Sequence, residues 1–229
     1  MKNQSKNKVV IATINKDHNK MIKESKALKD FKIIIINDVL NLKKINLKKI
    51  RYIFFIHWRW KVPKNLLNKY ECVCFHMTDL PYGRGGSPLQ NLIIRGLKET
   101  KLSALKMNEK IDSGPIYLKR KIVLNGSASQ IYKRVTKNSL QMIKKIISTH
   151  IEPKEQIGKI TNFKRRKPAE SKIDSMLSLR SLYDFIRMLD APGYPKAFIE
   201  HKNIKIDFSN VKFKKNRLDA KVELKLLKK

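Results

Sequence analysis

The sequence predicts an α/β fold with a mainly parallel sheet, followed by a small α+β unit at the carboxyl end. Short β-branched runs, such as 9–14 and 31–36, alternate with lysine-rich amphipathic segments. This alternation is typical of βαβ units, in which helices cover a parallel sheet. A polar, basic, proline-bearing stretch at 152–172 then separates the alternating part from the remaining residues.

The elements follow one another in chain order. We predict strands at 9–14, 31–36, 52–57, 71–75, 102–107 and 116–124. Helical spacing of apolar residues predicts helices at 17–28, 39–50 and 127–149, and another that begins at Pro88 with Ser87 as its cap. Alternating apolar residues between 197 and 211 predict a small β-hairpin.

A chain of 229 residues with 41% hydrophobic residues can bury the core of one full domain and a small appendage. We expect a main domain at 1–150, a basic linker at 151–175 and a small helix and β-hairpin unit at 176–229. No apolar run approaches the roughly 18 residues of a membrane span, and no signal-peptide core is evident. We therefore expect a cytoplasmic protein without a membrane partner.

The formal net charge of +33 makes nucleic acid the first partner to consider. The lysines, however, are spread through the chain, greatly outnumber the arginines and accompany an excess of Ile and Asn. Nucleic-acid surfaces usually cluster arginine with aromatic residues. We interpret the charge as mainly compositional bias that also attracts phosphate-bearing substrates, and we expect no nucleic-acid partner.

Two cysteines occur, Cys72 and Cys74, and their positions on one predicted strand predict free thiols. With no further cysteine and five scattered histidines, the sequence shows no zinc-type ligand cluster, and we expect no metal. The sequence does not indicate the oligomeric state, so a homodimer stays open.

The stretch 72–96 has the order of elements expected of a ligand site. A buried strand ends at His76, a glycine-rich loop follows, and an apolar helix begins at Pro88. The glycines would let the backbone approach a ligand, and a phosphate or carboxylate could bind beside the helix. From spacing alone, an ordinary glycine-rich surface turn with an ordinary histidine explains the pattern equally well.

Two separated segments resemble the signatures of one enzyme family. The segment His76-Met-Thr-Asp-Leu-Pro-Tyr-Gly-Arg84-Gly85 resembles the His-x-Ser-x-Leu-Pro-x-x-Arg-Gly signature of the folate-dependent formyltransferases. Downstream, the segment 100–116 resembles that family's strand followed by a loop ending in Asp-x-Gly, with Asp112 as the aspartate. The resemblance spans residues 50–200 and implies a Rossmann-like formyltransferase domain.

The resemblance implies a formyl transfer with formyl-tetrahydrofolate as co-substrate. By the family pattern, His76 hydrogen-bonds the oxygen of the reacting group, while Asp112 tunes the histidine and accepts the amine's proton. We expect both residues on loops at one edge of the sheet. The family's asparagine two residues before the histidine is Cys74 here, and a thiol is a weak donor. Either His57 or a backbone amide replaces that donor, or the site is rebuilt, or activity is low, or Cys74 is a nucleophile.

The same resemblance assigns binding residues. Folate is expected to contact residues at the positions of the family's Gly-x-Ile-Leu-Pro stretch and signature loops: Trp60, Val62, Pro63, Leu80, Pro81, Met107 and Ile111. The other substrate is expected to contact Thr78, Arg84, Gly85, Gly86 and Ser87. Two tryptophans close together at a strand end suit a pocket wall at least as well as core packing.

Later segments resemble the sugar-nucleotide branch of the family. They are Phe163-Lys-Arg-Arg-Lys-Pro168 and the block 182–198, which ends in Tyr194-Pro-Lys-Ala-Phe198. We therefore expect an N-formyltransferase of surface polysaccharide biosynthesis that acts on a nucleotide-linked amino sugar, such as a UDP-linked 4-amino precursor of a pseudaminic-type acid. One alternative is a methionyl-tRNA formyltransferase-like enzyme, against which the short chain after the linker argues. The others are a phosphoribosylglycinamide formyltransferase and a catalytically inactive, nucleic-acid-binding relative.

Overall fold

The computed structural model describes residues 8–44, 50–174 and 178–227. These residues form two compact units, each assembled from separate stretches of chain. The sheet unit takes in the described residues of Met1–Arg84, Lys101–Ile122 and Lys133–Asn162. The carboxyl-terminal unit takes in those of Gly85–Thr100, Val123–Tyr132 and Phe163–Lys229. The domain boundaries at 150 and 175 stay a prediction.

The sheet unit is built on a sheet that has six strands in the described part of the chain, in the order β2-β1-β3-β4-β6-β7. They are β1 (Lys8–Thr13), β2 (Lys32–Ile36), β3 (Tyr52–Ile56), β4 (Glu71–His76), β6 (Glu99–Lys106) and β7 (Ile116–Val123). Outside this sheet, β5 (Arg84–Gly85) pairs with β8 (Asn162–Phe163). The predicted strands agree with these bounds to within a few residues, because branched and aromatic runs suit a buried pleated sheet.

Neighbouring strands from β2 to β4 are parallel, and the strand direction changes between β4 and β6. β1 pairs in parallel with β2 and β3, and β3 pairs in parallel with β4. β6 runs antiparallel to β4, with His76 opposite Ser103 and Val73 opposite Lys106. The chain adds β2 on one side of β1 and β3 on the other, a topology that leaves a crevice at the carboxyl ends of the strands. β4 ends at this edge with His76.

One buried cluster supports that edge. It joins alternate residues of β1 and β3 to the short helix α3 (Lys64–Lys69), and consists of Val10, Ala12, Ile36, Leu42, Ile53, Phe55, Val62, Leu66, Tyr70 and Cys72. Phe54 and Phe55 point to opposite faces and both lack exposed surface, so β3 is covered on both sides. The strands beside β4 therefore form a closely packed base for the site.

The helices that follow the first strands are short. α1 (Asn19–Lys23) follows β1 and α2 (Val39–Lys44) follows β2. The predicted helix at 17–28 is interrupted, because Ser25 is extended and 3-10 turns stand on either side of α1. Part of the predicted helix at 39–50 lies outside the described residues. The long helix α5 (Ala128–Thr149) follows β7, and no described helix is long and apolar enough to cross a membrane.

The carboxyl-terminal unit combines helices with an antiparallel sheet of order β11-β10-β9. Its elements are α4 (Pro88–Ile94), α6 (Leu179–Leu189), β9 (Ala197–His201), β10 (Ile204–Lys214) and β11 (Arg217–Leu226). The predicted hairpin corresponds to β9 and β10. Together the two units confirm the predicted fold class, a mainly parallel α/β sheet followed by a small α+β unit.

Candidate active site

His76 is the last residue of β4, and its side chain is almost fully buried. Its Nε2 atom lies 2.8 Å from the carbonyl oxygen of Gly83. Because a carbonyl oxygen only accepts, Nε2 carries a proton. The same carbonyl accepts from Thr78 Oγ1 at 3.3 Å, and Ser103 Oγ donates to the Thr78 carbonyl at 2.7 Å. The loop that follows β4 therefore orients the imidazole through its own backbone.

The other nitrogen of His76 faces Asp112, with 3.5 Å between Nδ1 and Oδ2. The loop that carries Asp112 leaves β6 beside Cys72, whose carbonyl accepts the amide of Met107 at 2.8 Å. It then turns back until Asp112 reaches His76. The two residues do meet at one edge of the sheet, but His76 is the last residue of the strand and not part of a loop, and the Asp112 loop starts at the other edge, because β6 is antiparallel and ends beside the first half of β4.

The backbone of the Asp112 loop has one residue in an unfavourable conformation and one close approach to β6. Asp112 has a φ of +51°, a left-handed conformation that costs a non-glycine residue about 1 kcal/mol or more. At Gly114, an added Cβ would lie 1.8 Å from the carbonyl oxygen of Lys106, so only glycine fits. Within the loop, Asn108 Oδ1 accepts from the Lys110 amide at 3.1 Å. This conformation requires contacts that hold it.

Cys74 lies two residues before His76 and therefore on the same face of β4. Burial raises the pKa of the Cys74 thiol well above its ordinary value, and the charge of Asp112 raises it further. Burial also raises the pKa of Cys72 to about 12. Both thiols are free and protonated near neutral pH, which argues against a nucleophilic role for Cys74.

His57, the suggested replacement for the family's asparagine, has a different partner. Its Nε2 atom lies 3.0 Å from Thr136 Oγ1, and the same hydroxyl lies 2.8 Å from Nδ1 of His18. The two imidazole rings meet edge to face, with 5.6 Å between their centroids. The structure therefore gives no support to His57 as the substitute donor.

The segment 154–161, here called the strap, contacts both loops. Lys154 exchanges two backbone hydrogen bonds with Ile116, of 2.7 and 2.9 Å, just after the Asp112 loop. Thr161 Oγ1 accepts from the Gly83 amide at 2.7 Å, and the Thr161 carbonyl accepts from the Arg84 amide at 2.9 Å. A segment predicted as part of a linker is thus bonded into the sheet unit.

Gln156 lies in the middle of the strap. Arg84 donates to Gln156 Oε1 from Nε at 3.1 Å and from Nη2 at 2.8 Å. Gln156 Nε2 donates to the carbonyls of Asp112 and Gly114, both at 2.8 Å. We predicted that Arg84 contacts the substrate. Its side chain is largely buried and engaged by Gln156, and its contact with substrate stays a prediction.

Gly85 and Gly86 are explained by chain packing within the carboxyl-terminal unit, whereas we predicted a ligand beside them. A Cβ at Gly85 would lie 2.5 Å from the carbonyl oxygen of Phe163, and one at Gly86 would lie 2.6 Å from Arg165 Cα. The Gly86 amide also donates to the Phe163 carbonyl at 3.1 Å. The glycines therefore admit another segment of the chain at close range.

Ser87 occupies the predicted cap position of α4 but does not cap it. Its φ of +48° is left-handed, and its side chain makes no cap hydrogen bond. Its Oγ atom instead accepts from the Arg166 amide at 3.0 Å and lies 3.4 Å from the Tyr194 hydroxyl. Three segments that are far apart in sequence therefore meet at this serine.

Comparison with known proteins identifies the family of this chain. Residues 168–225 match the family model described as the C-terminal domain of methionyl-tRNA formyltransferase. A solved methionyl-tRNA formyltransferase from Clostridium thermocellum is 40% identical, with a TM-score of 0.90, over 96% of this chain and 99% of that one. The chain belongs to the methionyl-tRNA formyltransferase family. This membership confirms the predicted folate-dependent formyltransferase family.

More distantly similar proteins match this chain over part of their length or share only its fold. The methionyl-tRNA formyltransferase of Wolbachia pipientis subsp. Culex pipiens is 28% identical over 158 residues, 66% of this chain and 51% of that protein. The chain thus spans about half the length of the curated relatives it matches. A 4-N formyltransferase from Francisella tularensis is 20% identical with a TM-score of 0.63, over 86% of this chain and 93% of that one, which shows the fold alone. The match at residues 168–225 also removes the argument from length against the methionyl-tRNA branch.

The family pattern assigns folate to a region where the sheet unit has a partial aromatic wall. Half-buried Trp60 meets Trp58 edge to face, with 4.9 Å between centroids, and Trp58 and Met107 pack against the buried cluster. Trp58 Nε1 is buried without a hydrogen-bond partner, which leaves a donor for a polar ring edge. These residues fit a flat heteroaromatic group such as that of folate. Among the described residues, no group of three or more His, Cys, Asp or Glu could hold a metal.

Three assigned side chains are buried in the fold. Val62 is 3% exposed within the cluster, and Leu80 and Thr78 have no exposed surface. Thr78 also donates to the Gly83 carbonyl. The contact of Thr78 with substrate and the folate contacts of Val62 and Leu80 stay predictions, and the burial of the three side chains leaves their backbones as the groups that could meet a ligand.

Three assigned residues lie in or beside loops. Pro63 precedes α3, and Pro81 accepts the Thr161 amide at 3.3 Å. Ile111 is 74% exposed and does not belong to the wall in this structure. The folate contacts of these residues stay predictions.

Sequence analysis missed Gln156 and the strap. The segment has no apolar period, and its charged and proline residues are typical of a solvated linker. Gln156 precedes Ile157, which is 91% exposed, so hydrophobicity gives no signal there. Only the three-dimensional contacts identify it.

Proposed function

We propose that this chain transfers the formyl group of formyl-tetrahydrofolate to a primary amine. The observation that carries the proposal is the pairing of His76 with Asp112 at 3.5 Å, since the two belong to separate motifs of one family pattern. Formyl-tetrahydrofolate supplies the one-carbon group as co-substrate, and the aromatic wall around Trp60 is our candidate for its ring. No metal is needed in this proposal.

The residues of the chain divide the proton chemistry between them. With Nε2 of His76 donating to Gly83, Nδ1 is the nitrogen left to exchange a proton at the site. A doubly protonated His76 can donate from Nδ1 to the oxygen of the formyl group and is stabilised by the carboxylate of Asp112. Asp112 can then accept the proton that the amine loses on attack, and this proton passes to the folate nitrogen as its bond to the formyl carbon breaks and tetrahydrofolate leaves. Cys74, as a protonated thiol, serves at most as a weak donor.

We propose methionyl-tRNA as the acceptor. This proposal is supported by the 40% identity with the Clostridium thermocellum protein and by the C-terminal domain model that matches residues 168–225. The formal charge of +33 also favours binding to a polyanion such as tRNA. In this proposal the charge has a functional role, which the interpretation as compositional bias did not give it. Nucleic acid therefore returns as the leading partner.

A nucleotide-linked amino sugar is the second candidate acceptor, as the sequence analysis expected. One observation favours it: the glycine turn, the basic segment and the 182–198 block, which carry the resemblance to that branch, converge on Ser87. Such a convergence could build a nucleotide site within the carboxyl-terminal unit.

A side-by-side assay separates the two acceptors. Purified protein is given formyl-tetrahydrofolate with methionyl-tRNA, or with UDP- or dTDP-linked 4-amino sugars, and formylated product is measured by mass spectrometry. For tRNA, KM should rise steeply between about 50 and 200 mM salt, because binding releases counterions, whereas a nucleotide sugar should show little change. Formylation of the sugar alone would overturn the tRNA proposal. No product with either, and steep salt-dependent RNA binding, would favour the inactive relative.

A further inference from the structure

The side chain of Gln156 connects the two loops of the candidate site by four hydrogen bonds. Arg84, at the end of the His76 loop, donates twice to Oε1. Nε2 donates to the carbonyls of Asp112 and Gly114 in the other loop. Since an arginine only donates and a carbonyl only accepts, the orientation of the amide is determined and its hydrogen-bonding capacity is used completely.

We propose that Gln156 is a positioning residue for formyl transfer, which couples the location of the Asp112 loop to that of the His76 loop. The inference rests on the proposed function, because it gives Gln156 a part in that reaction. Gln156 is not a catalytic residue in this account. Its amide bonds the backbone of Asp112 and leaves the carboxylate to face His76.

The Asp112 loop needs such support for two reasons. It returns along β4 from the far end of the strand, and its backbone passes through a left-handed residue at Asp112. Without the two donors of Gln156, the carbonyls of Asp112 and Gly114 would turn towards water. A shift of about 1 Å in a reacting group can reduce turnover about 100-fold, so even a small movement of the carboxylate matters.

The rest of the strap stays anchored without Gln156. Lys154 is held by Ile116 on one side, and Thr161 is held by Gly83 and Arg84 on the other. Replacing Gln156 should therefore release the Asp112 loop while the sheet unit stays folded. This separates a positioning role from a general role in folding.

Two substitutions test the bridge. Gln156→Ala removes both sets of bonds, whereas Gln156→Glu keeps acceptors for Arg84 but has no donor for the two carbonyls. Gln141→Ala, at an exposed glutamine of α5, is the matched control. We expect kcat to fall roughly 10- to 100-fold in both Gln156 variants, with KM for folate and amine within about twofold of wild type. The Tm of Gln156→Glu should stay near that of wild type.

The outcome that overturns the inference is a Gln156→Glu variant with near wild-type kcat, because the donors to the loop would then be dispensable. Activity that follows Tm across the variants would also overturn it and indicate a merely structural residue. A normal kcat in Gln141→Ala is required for the comparison to count in favour of the bridge.

A second measurement does not depend on the reaction. Amide hydrogen exchange of a peptide covering 107–115, measured in the full chain, should be faster in Gln156→Glu than in wild type or Gln141→Ala. If wild type formylates neither acceptor, the proposed function fails, and exchange in this peptide still decides whether Gln156 holds the loop. Unchanged exchange rejects the positioning role.

Discussion

The loops that bring His76 and Asp112 together are stabilised in different ways. The loop after β4 orients the imidazole through its own Gly83 carbonyl, and it is also held by Ser103 of β6 and Thr161 of the strap. The loop after β6 has internal bonds at Asn108 and Ser113, but the carbonyls of Asp112 and Gly114 accept from Gln156, which is 44 residues from Asp112 in sequence. The orientation of His76 is therefore set within the loop that follows it, whereas the position of Asp112 also depends on a distant segment.

Because of this difference, mutations in the two loops should reduce activity for different reasons. A change of His76 should act on the reaction itself, since its surroundings persist. A change near Asp112 should act by moving a carboxylate whose backbone carbonyl is bonded by Gln156. Of the four predictions below, the first three concern turnover and begin with the largest effect, and the fourth concerns stability.

Removing the imidazole should have the largest effect. We expect His76→Ala to reduce kcat by about 10³-fold or more, because acid–base catalysis by a positioned side chain is typically worth 10²- to 10⁴-fold. The melting temperature should change little, since the loop keeps its other hydrogen bonds. His201→Ala, at an exposed histidine of β9, is the control. Turnover of His76→Ala within tenfold of wild type would contradict the assignment of His76 as the proton donor to the formyl oxygen.

Displacing the Asp112 loop should have the next largest effect. In Gly114→Ala the new methyl would meet the Lys106 carbonyl oxygen at 1.8 Å, so the loop must move away from β6. We expect roughly a 100-fold loss of kcat and a destabilisation of about 1–3 kcal/mol. Enzyme assays and thermal unfolding measure the two effects.

Gly96→Ala provides a control for stability alone. An added Cβ there meets nothing within 4 Å, but the φ of +74° makes alanine unfavourable by about 1 kcal/mol. It should lower the melting temperature without lowering kcat. Equal losses of activity in Gly96→Ala and Gly114→Ala would show that stability, and not loop position, limits turnover.

Removing the thiol should have the smallest effect. Because the pKa of Cys74 is raised, its sulfur is neither a thiolate nucleophile nor a strong donor. We expect Cys74→Ala to keep turnover within about tenfold of wild type. A thousandfold loss with an unchanged melting temperature would instead show that the sulfur takes part, as in a site rebuilt around it.

The raised thiol pKa values also predict a pH dependence of stability. An unfolded cysteine ionises near pH 8.5, about 3.5 units below the pKa of about 12 for Cys72 in the folded state. The folded state therefore binds these protons more tightly, and the stabilisation is complete below about pH 8.5 and lost as pH rises towards 12. The free energy of unfolding should fall less steeply above pH 9 in Cys72→Ala than in wild type, as measured by urea titration; equal slopes would contradict it.

The sequence predicted the stretch that contains His76 and Gly83 better than the loop that contains Asp112. The β-prone run that ends in His76 and the glycine-rich loop are contiguous, so their signals are visible in one stretch. The antiparallel direction of β6 has no local signal, because alternation of side chains is the same in either direction. Gly85 and Gly86 were interpreted as ligand contacts because the segment that fills the space beside them, at Phe163 and Arg165, is far away in sequence.

The strap also has a consequence for synthesis on the ribosome. Strands β1 to β7 are complete once Val123 has been made, but Gln156 and Thr161 are added later. A nascent chain that has emerged only as far as 150 can pair the strands of the six-stranded sheet, yet it lacks Gln156 and Thr161, which bond to Gly83, Arg84, Asp112 and Gly114. Competence for the reaction should therefore appear during translation as a late step, after the strap has left the exit tunnel.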